Sequence, residues 1–233
     1  MEKKLDLRTL VEYEGSGKPL ADLLGMGATD LQLLLVVAVR EIYRQARQKL
    51  RTMGNEAARI NGRVMMRTFC DVMAVISDRA AETGEVPLAL LARHNRASGY
   101  GIIGDTGTQN ATNRVILRSI EAGGDDWKDR PDLRFVYFKA FFGLLENDEE
   151  FRRDVSLFQW LTSVELLEQD NYPDFAGRAT RFVRQVKVEG FPGDLSPLVC
   201  AQLLERGTKH EASKDDQRRE ARELLVEILM QQH

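Results

Sequence analysis

The sequence predicts an all-α protein of roughly nine to eleven helices, built as one globular unit or as two closely packed helical lobes. Three observations carry this. Apolar residues recur at spacings of three and four almost everywhere, helix start and stop signals bracket them, and strand-like alternation is nearly missing. The 233 residues, 43 % hydrophobic and 30 % charged, are enough to bury a sizeable core and too apolar to stay disordered.

The clearest helix spans 29–52. Thr29 is its N-cap, Leu31, Leu34, Leu35, Ala38, Ile42, Ala46 and Leu50 form its apolar stripe, and Gly54 ends it. A second runs from Asn55 towards Thr83-Gly84 on Met65, Phe69, Val72, Ile76 and Ala80, with Asn61-Gly62 as a place where it bends or breaks. Residues 88–97 read as helix, and 98–110 as a glycine-bearing loop. A short helix follows over 112–122, closed by Gly123-Gly124. Arg130-Pro131 opens an aromatic helix with Phe135, Tyr137, Phe138, Phe141 and Phe142. The next, over 155–167, carries Phe158 and Trp160 as core residues. Tyr172-Pro173-Asp174 precedes a helix on Phe175, Ala179, Phe182, Val183 and Val186. Ser196 and Pro197 give an N-cap followed by a ring that fixes φ where no N–H is needed. Ser213 is expected to cap a last helix running to Gln232.

No repeat period recurs. The expected organisation is therefore an N-terminal arm over 1–27, a helical lobe over 28–97, the loop over 98–110, a second lobe over 111–212, and a C-terminal helix or arm over 213–233. The longest apolar run covers only 33–39, against the ~20 residues of a membrane span, so no membrane partner is expected. No apolar signal follows the basic N-terminus, and two isolated cysteines, Cys70 and Cys200, suit a reducing compartment. The expected location is cytoplasmic.

The formal charge is −3, yet it is segregated. Residues 40–118 hold thirteen Lys/Arg against seven Asp/Glu, a net of +6, and the remainder is at −9. Within that stretch Arg40, Arg44, Arg47 and Arg51 fall at helical spacing, and Arg59, Arg63 and Arg67 repeat the pattern. Like charges one turn apart repel by a few tenths of a kcal/mol, and a guanidinium grips two phosphate oxygens at once. Arg93, Arg96 and the glycines of 98–110 extend the pattern. Tyr100 is the candidate base-stacking ring, and Arg114 and Arg118 follow.

Other chemistry is not supported. Gly99, Gly101 and Gly104 match a dinucleotide spacing but follow helix rather than strand, and Gly107-Thr108 lacks the lysine of a phosphate-binding P-loop. His94, His210 and His233 have no partner at ligand spacing, so neither metal nor cofactor is expected. No nucleophile stands in a recognisable catalytic setting, and the chain does not read as an enzyme.

These residues point to a nucleic-acid-binding protein holding a phosphate backbone in an arginine-lined groove. Single-stranded RNA is the favoured ligand, and the chain is expected to form homo-oligomers through its terminal arms. Its size and helical character are those of compact nucleocapsid proteins of negative-strand RNA viruses, although no motif residue carries the likeness further. The alternative is a helical interaction or scaffold protein whose arginine stripes dock on acidic protein surfaces.

Overall fold

The structure is a computed structural model that describes residues 5–52, 54–189 and 196–230. Twelve helices and no strand are found among the described residues, as the periodicity predicts. The contacts divide the chain into one unit ending at Arg152 and a second beginning at Arg153.

The first unit opens with α1 (Leu7–Gly15), whose first turn is fixed by the Asp6 carboxylate accepting from the N–H groups of Arg8 and Thr9. After α2 (Leu20–Gly25) comes α3, in which Asp30–Val37, a π-turn over Ala38–Tyr43 and Arg44–Leu50 run on with helical backbone throughout. Thr29 and Gln32 cap its start reciprocally. The long α4 (Glu56–Glu82) begins at Asn55, whose side chain accepts from the Ala58 N–H. Next come α5 (Val86–Ile102) and α6 (Thr106–Glu121), then a 3₁₀ turn (Asp125–Asp129). The aromatic α7 (Pro131–Asn147) follows, and the division after Arg152 falls within the short α8 (Glu149–Asp154).

The second half of α3 pairs with α4, α4 with α5, and α5 with both α6 and α7, while α1 packs on α3 and α7. The core is filled by Met66, Phe69, Met73 and Ile76 of α4, Leu88 and Leu91 of α5, Ile116 of α6, and Phe138 and Phe141 of α7. Trp127 stacks on Tyr137 at 4.1 Å, closing the 3₁₀ turn over α7.

The second unit contains α9 (Leu157–Gln169), α10 (Phe175–Glu189), α11 (Pro197–Lys209) and α12 (Asp215–Met230). Ser156 and Ser196 cap α9 and α11. Phe175, Phe182, Val183 and Val186 meet Cys200, Leu203 and Leu204 and the inner face of α12, where Ala221, Leu224 and Ile228 are buried. Cation and carboxylate pairs tie its surface: Arg206 reaches Glu165 and Glu168, and Arg178 binds Asp174 at 2.6 Å.

Several expectations change. The glycines of 98–110 do not make a loop: α5 continues to Ile102 and α6 starts at Thr106, leaving only 103–105 between them. Gly99 is there for packing. A Cβ at that position would stand 2.6 Å from the Cys70 sulfur, so its absence lets α5 lie close on α4. Gly104, at φ +89°, makes the turn itself. Likewise Asn61-Gly62 does not break α4, because Gly62 faces Ala46 and Leu50 where α3 crosses it closely.

The boundary expected at 98–110 therefore lies inside one core, and the division falls after Arg152 instead. Residues 5–25 are no free arm: Leu7, Leu10, Tyr13 and Leu23 are buried, and the Gln32 amide donates to the Leu5 carbonyl. The C-terminal segment is a helix packed on α10 and α11, and 231–233 lie outside the described residues. Ser213, expected as its cap, accepts instead from the Ala176 N–H. Phe158 is 76 % exposed and not core, since it sits on the outer side of the first turn of α9.

Candidate nucleic-acid interface

Helix α1 ends with carbonyls that have no acceptor-satisfying cation in its own last turn. The row on α3 supplies two. Arg40 donates from Nε to the Tyr13 carbonyl at 2.9 Å and from Nη1 to the Lys18 carbonyl at 2.8 Å. Arg44 donates to the Glu14 carbonyl. Charge-assisted bonds of this kind, set at the negative end of a helix, hold the N-terminal segment on the first unit. The upper half of the arginine row is thus a brace.

The lower half is free. Arg47 and Arg51 are exposed and have neither an ion pair nor a side-chain hydrogen bond among the described residues. They stand at one side of a groove of about 440 Å³ between α1 and α3, bounded by Val11, Gly15 and Val39, with Tyr43, Gln48 and Glu14 also on its walls. Tyr43 rests on Phe69 of α4, the ring centroids 5.1 Å apart.

Glu14 is 8 % exposed, and burial pushes its carboxyl up to about 7 against the pull of Lys139, Asn95 and Arg44. Lys139 on α7 is pushed below its ordinary range by burial, with Glu14 opposing, and its ammonium lies 5.2 Å from the Phe135 ring centre. His94, beside this group on α5, is driven down to about 3 by burial and stays neutral, bonded to Asn113 at 3.3 Å.

Across the turn from Arg51, α4 presents Arg59, Arg63 and Arg67 on its exposed face. Arg59 pairs with the exposed Glu56 at 3.3 Å, whereas Arg63 and Arg67 have no partner among the described residues. The α3–α4 hairpin therefore carries four exposed guanidinium groups, of Arg47, Arg51, Arg63 and Arg67, without an ion pair among the described residues.

The remaining candidates lie elsewhere on the unit. Arg93 donates to Ser77 Oγ at 3.0 Å, and Arg96 donates to the Tyr100 hydroxyl at 3.2 Å with its guanidinium 5.5 Å from that ring's centre. Both arginines line a second hollow of about 370 Å³, together with Asp78. Tyr100 is thus already stacked by Arg96. Arg114 forks onto Asp148 at 2.9 and 3.0 Å and reaches Glu150, and these bonds hold the Asp148 carboxyl below the usual carboxylate range despite its burial. Arg118 is exposed, one turn beyond.

Tyr43, Gln48 and Glu14 escaped the sequence reading. The available signal was position: Tyr43 adjoins Arg44 and lies one turn before Arg47, and Gln48 adjoins Arg47. No group of three or more His, Cys, Asp or Glu suited to a metal ion is found among the described residues, and none of their helices is long and apolar enough to cross a membrane. No family model matches the chain, and neither a curated protein nor a solved structure does.

Proposed function

We propose that this chain binds nucleic acid, single-stranded RNA before other forms, by seating the phosphate backbone along the α3–α4 hairpin. Arg47, Arg51, Arg63 and Arg67 are the principal contacts and Arg59 an outer one. Arg40, Arg44 and Arg114 serve the fold and leave the contact set. The observation that carries the reading is that four exposed guanidinium groups on one hairpin, those of Arg47, Arg51, Arg63 and Arg67, have no ion pair among the described residues. A chain with 36 acidic residues had carboxylates to spare, and it pairs its arginines freely in the second unit. Uncompensated like charge at helical spacing costs a little stability, which a bound polyanion returns by releasing counterions.

Assembly of copies along a strand, the packaging role, belongs to this reading. With residues 7–25 folded onto their own unit, the contact between copies is expected outside the N-terminal segment. Light scattering on complexes with oligonucleotides of increasing length would give stepwise masses.

The binding test is a fluorescence-anisotropy titration with a labelled single-stranded RNA over a salt series. Affinity falls with a slope of about 0.7 per neutralised phosphate on a logarithmic scale. Reversing Arg47, Arg51, Arg63 and Arg67 to Glu abolishes binding while the helical circular dichroism stays. No binding by the parent chain at about 50 mM salt sinks the reading.

A further inference from the structure

Phosphate contacts position a strand, but the groove beside Arg47 and Arg51 has more than charge. Val11 and Val39 give it apolar walls, Gly15 lines it without a side chain, and Tyr43 contributes an aromatic ring that also packs on Phe69. Gln48 places an amide, donor and acceptor together, among these surfaces. Its volume of about 440 Å³ falls within the roughly 300–1,000 Å³ of small-molecule pockets, and its make-up, apolar surfaces with a few convergent polar groups, is theirs as well. The ring lies in the π-turn Ala38–Tyr43, a local widening that helices seldom adopt and that recurs at functional sites.

Resting on the phosphate-binding reading above, we infer that this groove is the seat of a single nucleotide. The base enters between Val11, Val39 and the Tyr43 ring, its polar edge meets the Gln48 amide, and its phosphate lies between Arg47 and Arg51. Stacking on one ring tolerates every base, because all present a π-face, so the seat fixes the register of a strand without demanding a sequence. The amide adds a preference for a base whose edge offers a matching donor and acceptor. Tyr100, the ring the sequence singles out, is held by Arg96 and does not take this part.

The test compares three probes on the full chain: a single-stranded RNA oligonucleotide, an abasic ribose-phosphate chain of the same length, and a nucleoside monophosphate. RNA is expected to bind about tenfold or more tighter than the abasic chain, the worth of a stacked base. Tyr43→Leu lowers RNA affinity to the abasic level, Tyr43→Phe restores it, and the monophosphate competes weakly with RNA. Because Leu fills the place on Phe69, and the Phe variant keeps the ring there, a folding defect is separated from a lost stack by circular dichroism.

If the abasic chain binds as tightly as RNA, and both are lost on reversing Arg47 and Arg51 to Glu, phosphate binding stands and the nucleotide seat is overturned. Should the monophosphate bind as tightly as the strand, a free nucleotide is the ligand and the strand register is overturned. Failure of all three probes at about 50 mM salt removes the phosphate reading itself.

Discussion

At Glu14 the fold keeps a carboxylate away from water, with Lys139, Arg44 and Asn95 around it and an ionisation point near 7 in place of 4.5. Between those values the folded chain holds a proton that the unfolded chain has released. Stability from this group is therefore complete below 4.5 and is lost as the pH rises through 7. Glu14→Gln removes the titration: from about pH 5 to about pH 8 the parent loses on the order of 2 kcal/mol that the variant keeps, read from urea midpoints at each pH. Parallel curves for the two proteins would contradict this. The residue scale is also where the sequence was least legible. Arg40 and Arg47 look alike in the row, and what separates them is a pair of main-chain carbonyls, at Tyr13 and Lys18, that only folding brings near Arg40. Removing that brace by Arg40→Met is expected to cost about 1–3 kcal/mol and to open residues 7–25 to limited proteolysis.

Single helices were far more legible, because their ends are written in local chemistry. Thr29, Asn55, Ser156 and Ser196 each accept a hydrogen bond from the first turn they precede, and Pro131 begins α7 as its fixed φ suggests. The glycines were misread for the opposite reason. In isolation a glycine signals a turn, and Gly104 obeys, but at Gly99 the deciding fact is how near α4 lies, a tertiary distance. Gly99→Val is accordingly expected to destabilise the first unit by about 1–3 kcal/mol, seen as a lower urea midpoint with an unchanged slope. Gly107→Ala, where a Cβ meets only the Asp105 carboxylate at 4.0 Å, serves as the control and is expected to be neutral or better.

On the scale of the whole chain, the all-α class followed from periodicity, while the division did not. Nothing in the composition changes at Arg152, since a boundary set by where two cores close leaves no mark in local sequence. Each unit has its own buried set, Phe69, Phe138 and Phe141 in one and Phe175 and Phe182 in the other. Residues 153–233 expressed alone are thus expected to melt cooperatively with helical circular dichroism, whereas a gradual, featureless melt would mean that their core is incomplete. The exposed arginines of the candidate interface all belong to the first unit, so RNA binding is expected to survive in residues 1–152.

The π-turn of α3 also works as a phase shifter. Were 38–43 to wind as plain α-helix with no residue removed, everything after it would turn by about 100°. The composition and the net charge would not change. Yet Arg47 and Arg51 would leave the groove, and Ala46, now buried against α4, would leave that contact with them. The length of this one turn, rather than any side chain in it, sets which arginines brace the fold and which face outward.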